Sequence, residues 1–256
     1  MGQQKRALFF DFGGTLMDYE SDRRAHAEMM EGLRARYGVA ESVEELTAKY
    51  NRSIGSLLQD PLGSQMILGR EIVRRSFHFL MASLGLTPER KDLHWFRHLY
   101  VSKHREHLRL YPEAQGVLRT LRGSRLHIGL ISDIDHDFMI DQLTRLSIID
   151  LFDSLTCSEE AGVWKPDPRI FELALSKAGC TGPEAIHIGD NLERDIKGAK
   201  HMGMTTVWFP NTSEAISDEP DYCIDSLKEV LDVVRSECAG LENDLLEARR
   251  KELYGK

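Results

Sequence analysis

Hydrophobic positions along the chain change period twice. The run Ala7 to Phe10, A-L-F-F, is continuous, aromatic and too short for a helix, which predicts a buried strand ending on the carboxylate of Asp11. From Asp18 to near Leu110 the spacing becomes helical. Ala25, Met29 and Leu33 recur before Gly38, then Val43, Leu46 and Tyr50. Ile72, Val73, Phe77, Leu80, Met81 and Leu84 follow before Gly85, and then Leu93, Phe96, Leu99 and Tyr100. The pattern predicts about four helices with no strand among them.

From Tyr111 onward strands and helices alternate. Pro112 opens a predicted helix through Val117, Leu118 and Leu121, His127 to Ile131 reads as a strand ending at Ser132, and Phe138 to Leu146 as a helix. A short strand is expected near Ser154 to Thr156, then a helix Pro168 to Ala178, a strand Ala185 to Ile188, a helix Glu193 to Met202 and a strand Thr205 to Phe209. Strands separated by helices imply βαβ units and a parallel sheet, which the strand from Ala7 must join. The expected fold is therefore α/β: a Rossmann-like parallel-sheet core of residues 1–17 and 111–240, with a helical module of residues 18–110 inserted. Leu227, Val230, Leu231 and Val234 predict a last helix packed on the sheet. Residues 241–256 are highly charged with Leu241, Leu245 and Leu246 at helical spacing, a solvated helical tail or a dimer contact.

Charge narrows the partners. With 33 basic against 41 acidic residues in 256, a net charge of −8 argues against a nucleic-acid-binding surface and tolerates a divalent cation. The opening M-G-Q-Q-K-R has no apolar core behind its charges, and Arg6 stands where a myristoylation site wants Ser or Thr, so neither a secretory signal nor a lipid anchor is expected. No apolar run approaches the roughly 18 residues of a membrane span. Cys157, Cys180, Cys223 and Cys238 lack C-x-x-C pairing and read as free, mostly buried thiols in a reducing cytoplasm. His94, His98, His104 and His107 follow one helix loosely among Arg97, Lys103, Arg105 and Arg109, with few carboxylates. A solvated or substrate-facing polar surface is expected of them rather than a metal site.

Candidate chemistry gathers at predicted strand ends. Asp11 is followed by Gly13 and Gly14, where the backbone must turn and main-chain amides can approach an anion closely. Ser132 ends another strand, Lys165 lies in the rigid turn W-K-P-D-P before a helix, and Gly189 and Asp190 end a further strand with Asp195 in the next first turn. Each has a plain alternative: a turn residue, a helix cap, a surface lysine, an acid at a helix N-terminus. Joint placement of a carboxylate, a hydroxyl, an ammonium and a pair of carboxylates at one edge of a parallel sheet favours a site there.

These four stretches, D-F-G-G-T-L, L-I-S-D, W-K-P-D-P and G-D-N-L-E-R-D, resemble in order the four motifs of the haloacid dehalogenase superfamily, and the likeness covers nearly the whole chain. The helical insertion is similar to the C1 cap of that family, which sets specificity. The resemblance implies Asp11 as a nucleophile forming a covalent aspartyl intermediate, Thr15 and Ser132 as hydrogen-bonding partners of the transferring group, and Lys165 as the neutralising cation. It implies magnesium held by Asp11, the carbonyl of Gly13 and Asp190, with Asp195 supporting it directly or through water. A cation bridging a phosphate dianion and a carboxylate nucleophile removes their repulsion.

One position departs from the pattern. Phosphatases of this group carry a second Asp two residues after the nucleophile as general acid, and here that residue is Gly13. The expected function is a magnesium-dependent phosphohydrolase of a small phosphorylated metabolite, cytoplasmic, a monomer or homodimer, without nucleic-acid or membrane partners. The alternatives are a 2-haloacid-dehalogenase-like hydrolase, a phosphonoacetaldehyde-hydrolase-like enzyme and a non-catalytic phosphoanion binder. The second of these needs a cap lysine for a Schiff base, and Lys49, Lys91 and Lys103 stand in no recognisable context for one.

Overall fold

The computed structural model describes residues 4–58, 66–210 and 220–238, so the expected tail at 241–256 lies outside the described residues. Contacts divide the chain into two compact units, Met1–Asp18 with Leu110–Lys256, and Tyr19–Arg109. The first strand, β1 (Ala7–Phe10), is buried over all four residues, as an apolar run covered on both faces should be. The chain then leaves the first unit at Met17 and returns at Leu110, and these two residues form an antiparallel bridge. Tyr111 N–H also donates to Leu16 O at 3.0 Å, so exit and re-entry run side by side, the geometry that lets an insertion be accommodated without disturbing its host.

The inserted unit consists of α1 (Tyr19–Tyr37), α2 (Val43–Leu58), α3 (Gly69–Ser83) and α4 (Arg90–His107). The apolar positions seen in the sequence converge on one core: Met29, Met30, Leu33, Leu46, Tyr50, Phe77, Leu80, Met81 and Phe96, with Phe77 and Phe96 stacked at 4.2 Å. Gly38 and Gly85 end α1 and α3 at φ values of +63° and +69°, which glycine adopts without a Cβ penalty. The histidines of α4 differ from expectation. His94 and His98 are exposed, but His104 is buried, its Nδ1–H donating to Tyr100 O at 2.8 Å and its ring edge-on to His26 at 5.3 Å. His107 Nε2 lies 2.9 Å from Glu28, and Lys103 bridges Glu28 and Glu106 at 2.6 and 2.8 Å. Spacing on α4 could not reveal this, because Glu28 and His26 come from α1, remote in sequence.

The chain continues through α5 (Ala114–Arg122), β2 (His127–Ser132), α6 (His136–Arg145), β3 (Ser154–Cys157), α7 (Ser158–Ala161), α8 (Pro168–Ala178) and β4 (Ala185–Gly189). A π-helical turn at Leu192–Lys197 runs into α9 (Gly198–His201), followed by β5 (Thr205–Trp208), β6 (Tyr222–Cys223) and α10 (Val230–Glu237). Helix α5 starts at Ala114 rather than Pro112, since Tyr111 is held in the pairing with Leu16. A 3-10 turn at Leu227–Glu229, capped by Ser226, precedes α10. The two-residue β6 was too short to show a period, and Cys223 on it is exposed. Cys180 is half-buried, so only Cys157 and Cys238 are the buried thiols expected.

The six strands form one parallel sheet in the order β3-β2-β1-β4-β5-β6. Ala7, Phe9, Ile131 and Ala185 pack under α8 residues Ile170, Phe171, Ala174 and Leu175. Leu8, Phe10, Leu130 and Ile188, which the two-residue period turns to the opposite face, are equally buried. The strand order reverses between β1 and β4, and sheets of this winding bind ligands at that point, beyond the strands' C-terminal ends. No helix among the described residues is long and apolar enough to cross a membrane.

Candidate active site

Asp11 is the first residue past β1, buried, with its N–H donating to Ile188 O of β4 at 2.9 Å. The register that pairs Phe10 with both Leu130 and Ile188 brings the ends of β2 and β4, and hence Ser132 and Asp190, to either side of it. Ser132 is buried and is not a helix cap: α6 begins at His136, with Asp135 in the cap position. The Asp190 backbone is fixed by Trp208, whose indole N–H donates to the Asp190 carbonyl at 2.8 Å.

The turn after Asp11 is closed by main-chain bonds: Leu16 and Met17 donate to Phe12 O, and Gly14, at φ +82°, donates to Met17 O. Gly13 is exposed in this turn. Thr15 is fully buried, and its Oγ1 has no hydrogen-bond partner among the described residues. A buried hydroxyl in that state is costly unless something bonds to it, which fits a role toward a ligand oxygen.

Lys165 is buried, not the surface residue that lysine is by default. Its Nζ donates to Asp11 Oδ1 at 2.5 Å, Asp195 Oδ1 at 2.6 Å and Ile131 O at 3.2 Å. Its backbone N–H is held by Asp133 Oδ1 at 2.9 Å, while Asp133 Oδ2 faces Arg194 at 3.3 Å. The carboxylate of Asp133 thus ties the ends of β2 and β4 to the turn carrying Lys165.

Asp195 reaches this network through a departure from the expected helix at Glu193 to Met202. Asn191 Oδ1 accepts the N–H groups of Glu193 and Arg194, while Asn191 O accepts those of both Asp195 and Ile196. The result is the π turn, with α-helix resuming only at Gly198. Such turns inside helices recur at functional sites. Asp195 lies against the end of β4, where a Cβ on Gly189 would come within 2.3 Å of the Asp195 Cβ. Its Oδ1 also faces His187 Nε2 at 3.1 Å and its Oδ2 accepts the Asn191 N–H at 3.1 Å.

The electrostatics follow from three carboxylates around one ammonium. Burial alone would lower the Lys165 pKa, but Asp11, Asp195 and Asp133 outweigh it and hold the ammonium charged, above its ordinary range. Burial works to raise Asp195, but Lys165 and the His187 hydrogen bond overcome it and keep that carboxyl below its usual range. Asp11 goes the other way: burial, reinforced by Asp195 and Asp190, pushes it well up against the pull of Lys165. Oxygen atoms of Asp11, Asp190 and Asp195 all lie within 4.8 Å of one another. Three carboxyl groups this close together, carrying more negative charge than one lysine neutralises, are the hard-oxygen donor set that a magnesium ion fits.

Structure thus unites Asp11, Lys165 and Asp195 in direct contact, sets Asp190 beside them, and leaves Thr15 and Ser132 buried at the neighbouring turn and strand end. From its place after Ser132, Asp133 reads in the sequence as an alternative proton source, and its structural tie to Lys165 and Arg194 carried no signal. His187 went unnoticed although a polar residue inside the buried strand A-I-H-I-G needs a partner.

Residues 5–203 match the family of haloacid dehalogenase-like hydrolases. Glyceraldehyde 3-phosphate phosphatase of Methanopyrus kandleri is 29% identical over 90% of this chain and 97% of its own length. Phosphoserine phosphatase of Thermus thermophilus is 33% identical over 61% of this chain and 62% of its own. Among solved structures, the HAD-family hydrolase YfnB of Bacillus subtilis, solved with magnesium bound, has a TM-score of 0.75 at 21% identity, covering 91% of this chain and 99% of that one. The L-2-haloacid dehalogenase of Xanthobacter autotrophicus has a TM-score of 0.71 at 19% identity, over 91% and 99%. Those two likenesses are of fold, but the family match spans β1 to β4, the insertion and all four motifs, and the chain belongs to the haloacid dehalogenase-like hydrolases.

Proposed function

We propose that the protein is a magnesium-dependent phosphohydrolase of a small phosphorylated metabolite, working through an aspartyl-phosphate, with the inserted helical unit serving as a C1-type cap. The observation that carries this reading is the charge gathered at the site: Asp11, Asp190 and Asp195 bring oxygen atoms within 4.8 Å of one another, and the Lys165 ammonium pairs with Asp11 and Asp195. Asp11, Asp190 and the carbonyl of Gly13 would hold the ion, with Asp195 in support, and when bound it supplies neutralisation between the carboxylate nucleophile and a phosphate dianion. Lys165 orients Asp11 through its 2.5 Å contact and remains positive throughout. An Asp11 oxygen forms the bond to phosphorus as the ester oxygen leaves with its electron pair, and Thr15 and Ser132 donate to the phosphoryl oxygens. Water then attacks the aspartyl-phosphate, giving inorganic phosphate and restoring Asp11. The relatives named for glyceraldehyde 3-phosphate and phosphoserine support a small phosphomonoester as substrate.

The Schiff-base alternative is disfavoured by the state of the lysines in the inserted unit. Lys49 pairs with Glu41 at 3.1 Å, Lys91 with Glu89 at 2.9 Å, and Lys103 with Glu28 and Glu106. Glu106 and Glu28 raise the Lys103 pKa, whereas an amine that attacks a carbonyl must lose its proton. Phosphate release from a panel of phosphorylated metabolites, with magnesium and with EDTA, tests the proposal. Wild type is expected to release phosphate only with magnesium, and Asp11→Asn to release none while keeping its circular dichroism. Halide release insensitive to EDTA would make the protein a dehalogenase, and binding of phosphate without turnover would make it a non-catalytic member.

A further inference from the structure

His187 stands in the middle of β4 with no exposed surface, a polar side chain between Ile186 and Ile188 in a strand buried from end to end. An apolar residue would fill the strand without desolvating two ring nitrogens, so the imidazole must recover that cost through a bond. The bond it makes is to Asp195, Nε2 to Oδ1 at 3.1 Å. The same oxygen accepts Lys165 Nζ, which in turn holds Asp11. On the other side the ring is braced by Phe171, edge-on at 5.5 Å and 86°. Gly198 accommodates Phe171, since a Cβ there would come within 2.6 Å of the phenyl ring.

The chemistry settles which nitrogen carries the proton. A nitrogen that faces an ionised carboxylate must present N–H, and His187 Nδ1 has no partner among the described residues, so a bare lone pair there costs less than a buried, unpaired N–H. The imidazole therefore presents Nε2–H to Asp195. Asp195 also receives the Asn191 N–H on its second oxygen. Main chain, lysine and histidine then approach the carboxylate from different elements, and the histidine is the contact that comes from within the sheet.

We propose that His187 is a positioning residue: its Nε2–H, delivered from the rigid strand β4, sets the rotation of the Asp195 carboxylate and, through Asp195, holds the Lys165 ammonium against Asp11. The kinetic consequence rests on the phosphohydrolase reading, but the hydrogen bond does not, and the experiment separates the two.

Imidazole nitrogen spectra of the full-length protein at neutral pH should show His187 with a proton on Nε2, hydrogen-bonded and protected from exchange. An Nδ1–H tautomer, with Nε2 bare, would overturn the proposal. Three variants then test the role: His187→Leu fills the space without a donor, His187→Asn keeps polarity but stops short of Asp195, and His187→Gln carries an amide N–H toward the Nε2 position. Partners of ligating groups typically cost about 10- to 100-fold in metal affinity or activity when removed. His187→Leu and His187→Asn are expected to lose that much in kcat and in magnesium affinity by calorimetry, with KM little changed, and His187→Gln to recover most of both. If His187→Leu does not fold, the contrast between His187→Asn and His187→Gln carries the test. Equal behaviour of the folded variants would overturn the positioning role. If wild type shows the Nε2–H tautomer but neither binds magnesium nor releases phosphate, the phosphohydrolase reading fails and the hydrogen bond stands.

Discussion

Gly13→Asp introduces a carboxyl two residues after Asp11, the proposed nucleophile, where the family resemblance places the general acid of phosphatases. The turn can take it: Gly13 is exposed, the left-handed φ belongs to Gly14, and a Cβ at 13 would meet only Met17 Cε at 3.9 Å. Backbone strain is absent, and exchanging glycine at a compatible position is worth about 0.4–1 kcal/mol of stability in its own right. Asp133, the nearest acid by sequence to Ser132, is not available as a substitute, because Lys165 N–H and Arg194 occupy both its oxygens at 2.9 and 3.3 Å. Without a general acid, an alkoxide must leave bearing nearly a full charge, whereas an aryl or acyl oxygen leaves as a stable anion. General acid catalysis contributes about 10²- to 10⁴-fold, or roughly 3–5 kcal/mol of barrier. We predict that wild type favours p-nitrophenyl and acetyl phosphate over glycerol or sugar phosphates by a margin of that order. Gly13→Asp should raise kcat/KM for alkyl esters selectively, flattening the dependence of rate on leaving-group acidity. The assay is kcat/KM across a series of phosphomonoesters of graded leaving-group pKa, at saturating magnesium. Comparable wild-type rates on alkyl and aryl esters would refute the reasoning and make Asp135, buried at the start of α6, the next residue to mutate.

Two further predictions concern stability. Lys165→Met removes the ammonium shared by Asp11 and Asp195, and breaking a buried pair this way costs about 3–5 kcal/mol, a fall in Tm of roughly 10 °C measured in EDTA; an unchanged Tm would show that the carboxylates do not depend on the lysine. Burial pushes His104 down to about 4 from an unfolded value near 6.5, so the folded state is favoured by the neutral ring and loses stability as pH falls below about 6.5, by up to about 2 kcal/mol at pH 5. Denaturant midpoints at pH 7.5 and 5 should therefore diverge more for wild type than for His104→Gln, and equal acid losses in the two would sink the assignment.

Much of this molecule was legible in its one-dimensional pattern. A two-residue or continuous apolar period and a 3.6-residue period are imposed by local geometry, so β1, the four helices of the inserted unit and the alternation from α5 to β5 could be read from side-chain spacing alone. The strand-end positions of Asp11, Ser132 and Asp190 followed from the same pattern, because a parallel sheet presents its strand ends at one edge. What spacing could not supply is any property that depends on a partner remote in sequence. Lys165 is a buried cation only because Asp11, 154 residues away, and Asp195, 30 residues away, close on it. His104 is buried because α1 packs on α4, and Asp133 is structural because Lys165 and Arg194 arrive at its two oxygens. The π turn that delivers Asp195 depends on one Asn191 carbonyl accepting two N–H groups, a choice that a helical period does not encode. Sequence determined the elements and the edge at which the chemistry gathers; the tertiary structure decided which charges meet there, since burial and ion pairing are properties of contacts between elements rather than of any one of them.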